Sequence, residues 1–105
     1  MHLIPVLLVL ISAPSDPIDG VFVGCTVTHD DQSPGSYFVR SAAYPNLGND
    51  IDTGKIVVQA TNGSGGNLTI SARGNGPDEA IVELFNASTG ASASGAFTAV
   101  FYLRL

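Results

Sequence analysis

Residues 97–105, Phe97-Thr98-Ala99-Val100-Phe101-Tyr102-Leu103-Arg104-Leu105, set Phe97, Ala99, Phe101, Leu103 and Leu105 at every second position. Successive side chains of a strand point to opposite faces, so this period of two buries one face and leaves the other to be covered separately. The period recurs upstream. Val21, Val23, Cys25 and Val27 alternate with Phe22, Gly24, Thr26 and Thr28, which reads as one strand. Leu68, Ile70 and Ala72 alternate with Thr69, Ser71 and Arg73. Shorter strand candidates lie at 37–42, 55–61 and 79–86, and 79–85 also admits a short helix. No window sustains an apolar repeat at three and four, and 12 Gly with 6 Pro punctuate the chain.

Turn chemistry separates these segments. Asn62-Gly63-Ser64-Gly65-Gly66 predicts a hairpin joining 55–61 to 67–73. Gly74-Asn75-Gly76-Pro77-Asp78 links the latter to 79–86, and the small, polar stretch Ser88 to Gly95 reads as a loop or hairpin tip. With a strand at 3–11, the expectation is an all-β chain: a β-sandwich or jelly-roll-like fold of about seven, mostly antiparallel strands. A length of 105 residues suits one domain, 1–105. Residues 1–20 form its N-terminal apolar strand or arm and linker, placed for subunit contacts.

The segment Leu3-Ile4-Pro5-Val6-Leu7-Leu8-Val9-Leu10-Ile11 breaks the alternation, being apolar almost throughout. Leu3, Val6, Leu8 and Leu10 cannot all share a face with Ile4, Leu7, Val9 and Ile11. One set can join the domain's own core, and a chain this short has little material left to cover the other. A membrane, a second polypeptide or removal as a signal peptide would resolve the excess. A transmembrane helix needs about 20 apolar residues, and Pro14 and Asp16 close the run before that. No Lys or Arg precedes the run and Pro5 interrupts it, although Ala13-Pro14-Ser15 could pass for a cleavage motif. The expectation is therefore mature structure with no membrane span. Leu3, Ile4, Val6, Leu7, Leu8, Val9, Leu10 and Ile11 are the candidate subunit interface.

Composition narrows the function classes. Charged residues are only 12% of the chain, about half the usual share for soluble domains. Net charge is −5 and the four cations, Arg40, Lys55, Arg73 and Arg104, are scattered singly, so no basic stripe exists for nucleic acid. One cysteine excludes an intrachain disulfide and a cysteine-based zinc site. Cys25 reads as a small buried hydrophobe.

Few constellations could carry chemistry. Asn49-Asp50-Ile51-Asp52-Thr53-Gly54 holds two carboxylates at a spacing of two, half of an oxygen-rich calcium loop, with no downstream Glu to close it. A solvated turn is the better reading, and Asp30-Asp31 could complete a site only if the fold joined the two loops. Cys25 and His29 could pair as nucleophile and base on one strand face, without a third group to orient them. Asn62, Asn67 and Asn86 begin Asn-X-Ser/Thr sequons and read first as turn formers. Tyr37, Phe38 and Tyr44 with Pro45 could form an aromatic platform, a role that core packing competes with. No catalytic, cofactor or metal residues are assigned, and no enzyme activity is expected.

The segment Ser94-Gly95-Ala96-Phe97-Thr98-Ala99-Val100-Phe101-Tyr102-Leu103 is a small-residue turn feeding an aromatic strand. In this, and in its Ala/Gly/Thr/Ser-rich, disulfide-free, all-β style along the whole chain, the sequence resembles the small capsid decoration or cement proteins of tailed bacteriophages. The resemblance rests on no diagnostic motif. It implies a non-enzymatic virion protein that forms homo-oligomers on the capsid surface, its partners being itself and a major capsid protein. A rival resemblance is to pilins assembled by strand donation, at the cell surface, from which the single Cys and the imperfectly alternating N-terminal run depart. A secreted carbohydrate-binding β-sandwich module is the third reading, without Trp or a planar aromatic row.

Overall fold

The computed structural model describes residues 2–13 and 18–105. Eight strands and one short helix follow in chain order: β1 (Leu3–Ala13), β2 (Asp19–Val23), β3 (Thr26–His29), β4 (Ser36–Arg40), α1 (Leu47–Asp52), β5 (Ile56–Asn62), β6 (Leu68–Gly74), β7 (Ala80–Asn86) and β8 (Phe97–Arg104). They form two four-stranded sheets, a front sheet ordered β2-β1-β8-β5 and a back sheet ordered β3-β4-β7-β6. Every strand pair is antiparallel. The chain is an all-β sandwich, as the period of two predicts.

The core is what the alternation puts between the sheets. From the front come Leu7, Val9, Ile11, Phe97, Ala99, Phe101 and Ile56; from the back, Tyr37, Val39, Ala80, Val82 and Leu84. Each large aliphatic or aromatic side chain so enclosed contributes roughly 1.5–3 kcal/mol of burial. Leu47 closes one end from α1, fully buried. Two pairs of strands read as locally linked in sequence prove to span the sheets.

The first is β2 and β3. The sequence reads 21–28 as one strand, but Gly24 adopts φ +76°, a left-handed conformation that side-chain-bearing residues rarely take. The break sends Asp19–Val23 to the front sheet and Thr26–His29 to the back. It also reverses the faces: Val21 and Val23 are exposed, whereas Cys25 and Val27 pack against the core. A Cβ at Gly24 would lie 2.9 Å from Leu7 Cδ2 and 3.1 Å from the Val6 carbonyl oxygen. The bend is pinned by the Ser41 hydroxyl, which donates to the Gly24 carbonyl at 2.8 Å.

The second is β5 and β6, which belong to different sheets. The turn at 62–66 is therefore a crossing and not the predicted hairpin. Asn62 shapes it, its side-chain oxygen accepting the Ser64 amide at 2.9 Å in a local Asx turn. The pair β6–β7 is a true ladder, from Leu68 opposite Asn86 to Gly74 opposite Ala80. The segment 80–86 is thus strand, not the short helix that 79–85 also admits.

Residues 47–52 form a helix where the sequence reads a solvated turn at 49–54. Six residues cannot hold a helix by propensity alone. Burial of Leu47 and Gly48 supplies the stability. A Cβ at Gly48 would stand 2.0 Å from the Gly76 carbonyl oxygen, so only glycine lets the helix lie against the β6–β7 turn.

Candidate functional site

β1 is a central strand. Leu8, Val9, Leu10 and Ile11 pair with Val23, Phe22, Val21 and Gly20 on one side and with Val100, Ala99, Thr98 and Phe97 on the other. Both main-chain edges of this stretch are therefore satisfied within the chain, which leaves only its side chains to meet a neighbour. The register shifts between Pro5 and Leu7, making Val6 the extra residue of a β-bulge. The shift lets Leu3 stand opposite Arg104 and Ile4 opposite Leu103, so Ile4 falls on the side of Leu7, Val9 and Ile11 although its sequence parity differs.

The eight candidate interface residues accordingly divide. Leu7, Val9 and Ile11 are buried in the chain's own core and are unavailable to any neighbour. Val6 is half-buried against that core. Leu8 and Leu10 lie on the outer face of the front sheet, half-buried by each other's neighbours, while Leu3 and Ile4 are 47% and 43% exposed at its end.

Rows across the front sheet show what surrounds Leu8 and Leu10. Leu8 lies between Val23 and Val100, with Gln59 beyond; Leu10 lies between Val21 and Thr98, with Thr61 beyond. Val57 and Tyr102 pair in the next row toward the Leu3 end. Val21 and Val23 are 54% and 52% exposed and Val57 is 39% exposed. None of these positions carries a charge. A groove of about 260 Å³ opens on this face where β2 stops, lined by Pro5, Val6, Leu8, Val23 and Val100 among others. Sequence reasoning missed Val21, Val23, Val57 and Val100 as members of this surface; the signal was their parity, which became readable only with the strand order.

The back sheet's outer face is different in kind. There Thr26, Thr28, Thr69, Ser71, Arg73 and Glu83 surround Phe38, Ile81 and Phe85. Arg73 bridges to Glu83 at 3.1 Å, and Arg40 reaches Asp78 at 2.8 Å and Glu79 at 2.9 Å. Those carboxylates hold the exposed Arg40 guanidinium above its ordinary value, chiefly through the Glu79 hydrogen bond. Polar cover of this sort is what a solvated sheet face normally carries. Among the described residues, the middle of the front face carries no charged side chain.

The open edge of β1 beyond Val23 is closed to strand addition by Pro5. His2 and Leu105 exchange amide hydrogen bonds, so alternation directs Ile4 toward β8 and Leu3 and Pro5 toward the open side. A proline there removes the donor that an added strand would need.

The chemical constellations separate. His29 stacks on Tyr37 with ring centroids 4.6 Å apart, and its Nε2 donates to the Pro34 carbonyl at 2.8 Å. The Cys25 thiol instead donates to the Leu8 carbonyl at 3.6 Å, and burial pushes its pKa up, away from the thiolate a nucleophile requires. Asp52 accepts the Gly74 amide at 3.0 Å at the far end of β6. Asp30 lies at the other end of the back sheet, where its amide donates to the Ser36 carbonyl; the two acidic loops do not meet. No group of three or more metal-ligating side chains occurs among the described residues. The aromatic platform does not form: Tyr37 is fully buried, while Phe38 points to the opposite face. Asn62 and Asn86 commit their side-chain oxygens to the turn amides of Ser64, Ser88 and Thr89, and Asn67 donates to the Ser88 hydroxyl.

No helix among the described residues is long and apolar enough to cross a membrane. Comparison with family models, curated proteins and solved structures returns no match to this chain.

Proposed function

We propose that this chain is a non-enzymatic structural subunit that packs through the outer face of its front sheet against a neighbour in a larger assembly. The observation that carries this reading is the uncharged, apolar surface built by Leu8, Leu10, Val21, Val23 and Val100, on a domain whose other sheet has ordinary polar cover. A contiguous patch of this sort marks an interaction site, since in water it invites association. Packing by side chains, and not strand exchange, is favoured by the double pairing of Leu8–Ile11 and by Pro5 at the open edge. The setting its resemblance to capsid decoration proteins implies is the surface of a tailed-bacteriophage capsid, with the subunit as a decoration or cement protein that stabilises the shell.

Light scattering on the eluting native protein tests the reading. A small closed oligomer of the 10.8 kDa chain, which also binds empty phage heads, is expected. Leu8→Asp should release folded monomers, while Ser71→Asp on the back sheet should change nothing. Open fibres, or a monomer that binds polysaccharide, would replace the reading with a fimbrial subunit or a glycan-binding module.

A further inference from the structure

Resting on that reading, we infer that the first occupant of the front face is a second copy of this chain, related by a twofold axis lying in the interface beside the Leu8–Val100 pair. Apolar and uncharged polar residues fill the middle of the face, and its charged residues stand at two corners. Asp19 is exposed on β2 opposite Ala13. Lys55 precedes β5, bonded through its carbonyl to the Arg104 amide, and Arg104 stands opposite Leu3. Both cations share the outward parity of Val57 and Tyr102.

The strand order β2-β1-β8-β5 places Asp19 on one edge strand and Lys55 at the start of the other. Along β1, Ala13 and Leu3 mark opposite ends, with Leu8 midway between them. The acid and the bases therefore occupy diagonal corners, and the pair Leu8–Val100 lies at the middle of that diagonal. A twofold axis in the plane of the face, through this midpoint and across the diagonal, exchanges the corners. It sets Asp19 of each copy over Lys55 and Arg104 of the other, twice, while Leu8, Val23 and Val100 meet their own counterparts. A twofold interface must be self-complementary, and this face is so in shape of charge as well as in apolar character. The acids that give the chain its net −5 lie largely on other surfaces, so the contact does not gather like charge.

Size agrees with a modest contact. Four strands about 4.8 Å apart and some 25 Å long present roughly 450 Å² a side, so two copies bury about 900–1,000 Å², at the threshold of specific interfaces. The expected product is a concentration-dependent dimer that a larger lattice would reinforce.

Sedimentation velocity across a concentration series tests this with the full chain. Wild type should pass reversibly from monomer to dimer. Leu8→Asp should raise the dissociation constant by at least ~100-fold, as a charge at a buried interface centre does. Asp19→Lys should raise it about 10-fold by facing like charges. The triple change Asp19→Lys, Lys55→Asp and Arg104→Asp should restore it to within about threefold of wild type, since it exchanges both partners of Asp19 across the axis. A dimer that Leu8→Asp breaks but the charge exchange does not rescue overturns the twofold arrangement and leaves the front-face reading standing. A wild type that stays monomeric at all concentrations, yet binds its larger assembly through Leu8, overturns the self-partner alone. Association of any order untouched by Leu8→Asp overturns both.

Discussion

Val9 and Leu10 are neighbours in β1 whose side chains part company, and shortening each to alanine should separate the two faces energetically. Val9 is wholly buried among core residues. Val9→Ala removes two methyl groups, about 1.6 kcal/mol at ~0.8 each, and the void left in a close-packed interior adds roughly 1 kcal/mol. The expected cost is about 2–3 kcal/mol, on the order of 10 °C in Tm for a domain of this size. Leu10→Ala deletes three carbons, but from the half-buried outer face between Val21 and Thr98, where no cavity forms. Its cost should stay below about 1 kcal/mol. Urea denaturation at micromolar protein, followed by circular dichroism, reads both without help from association. Equal losses, or a larger loss at Leu10, would refute the assignment of inner and outer faces and with it the registers of β1.

Four further outcomes follow from single residues. The Tyr37 hydroxyl is buried without a protein hydrogen-bond partner, so Tyr37→Phe should hold or raise stability, by up to about 1 kcal/mol in denaturant; a loss of that size would mean the hydroxyl is satisfied. Gly24→Ala must combine positive φ with contacts against Leu7 and Val6 and should cost about 2 kcal/mol, where an unstrained turn would cost almost nothing. Burial raises the Cys25 thiol, so a maleimide should label native protein far more slowly than urea-unfolded protein, and equal rates would contradict that burial. The same shift makes the unfolded thiol ionise first as pH rises, so the folded state loses stability above the ordinary thiol range, roughly pH 8.5; Cys25→Ala should flatten that decline in a pH series of denaturation curves.

The sheet content was legible because alternation is a property of single segments. Residues 97–104 and 68–74 needed only their own side chains to declare themselves strands. What period two cannot report is a change of sheet. Gly24 interrupts 21–28 without disturbing the spacing of apolar residues, yet it exchanges which of them face the core. Likewise Asn62-Gly63 suits a hairpin and a sheet crossing equally, since both need the same local turn. The helix at 47–52 left no periodic trace, being anchored by Leu47 and by the close approach of Gly48 to the β6–β7 turn. The site was half legible. Excess apolarity in 3–11 announced a second apolar face, but which residues held it depended on the bulge at Val6 and on Val21, Val23 and Val100 arriving from other strands.

Assembly through the front sheet requires that protein cover its outer face in the particle. A single thiol on that face, Val23→Cys in a Cys25→Ser chain, reports this by its labelling rate before and after assembly, with Ser71→Cys as the back-sheet reference. Val23→Cys should label readily in the monomer and become strongly protected in the particle while Ser71→Cys stays reactive. Unchanged labelling at Val23→Cys in a fully assembled particle would contradict assembly through that face.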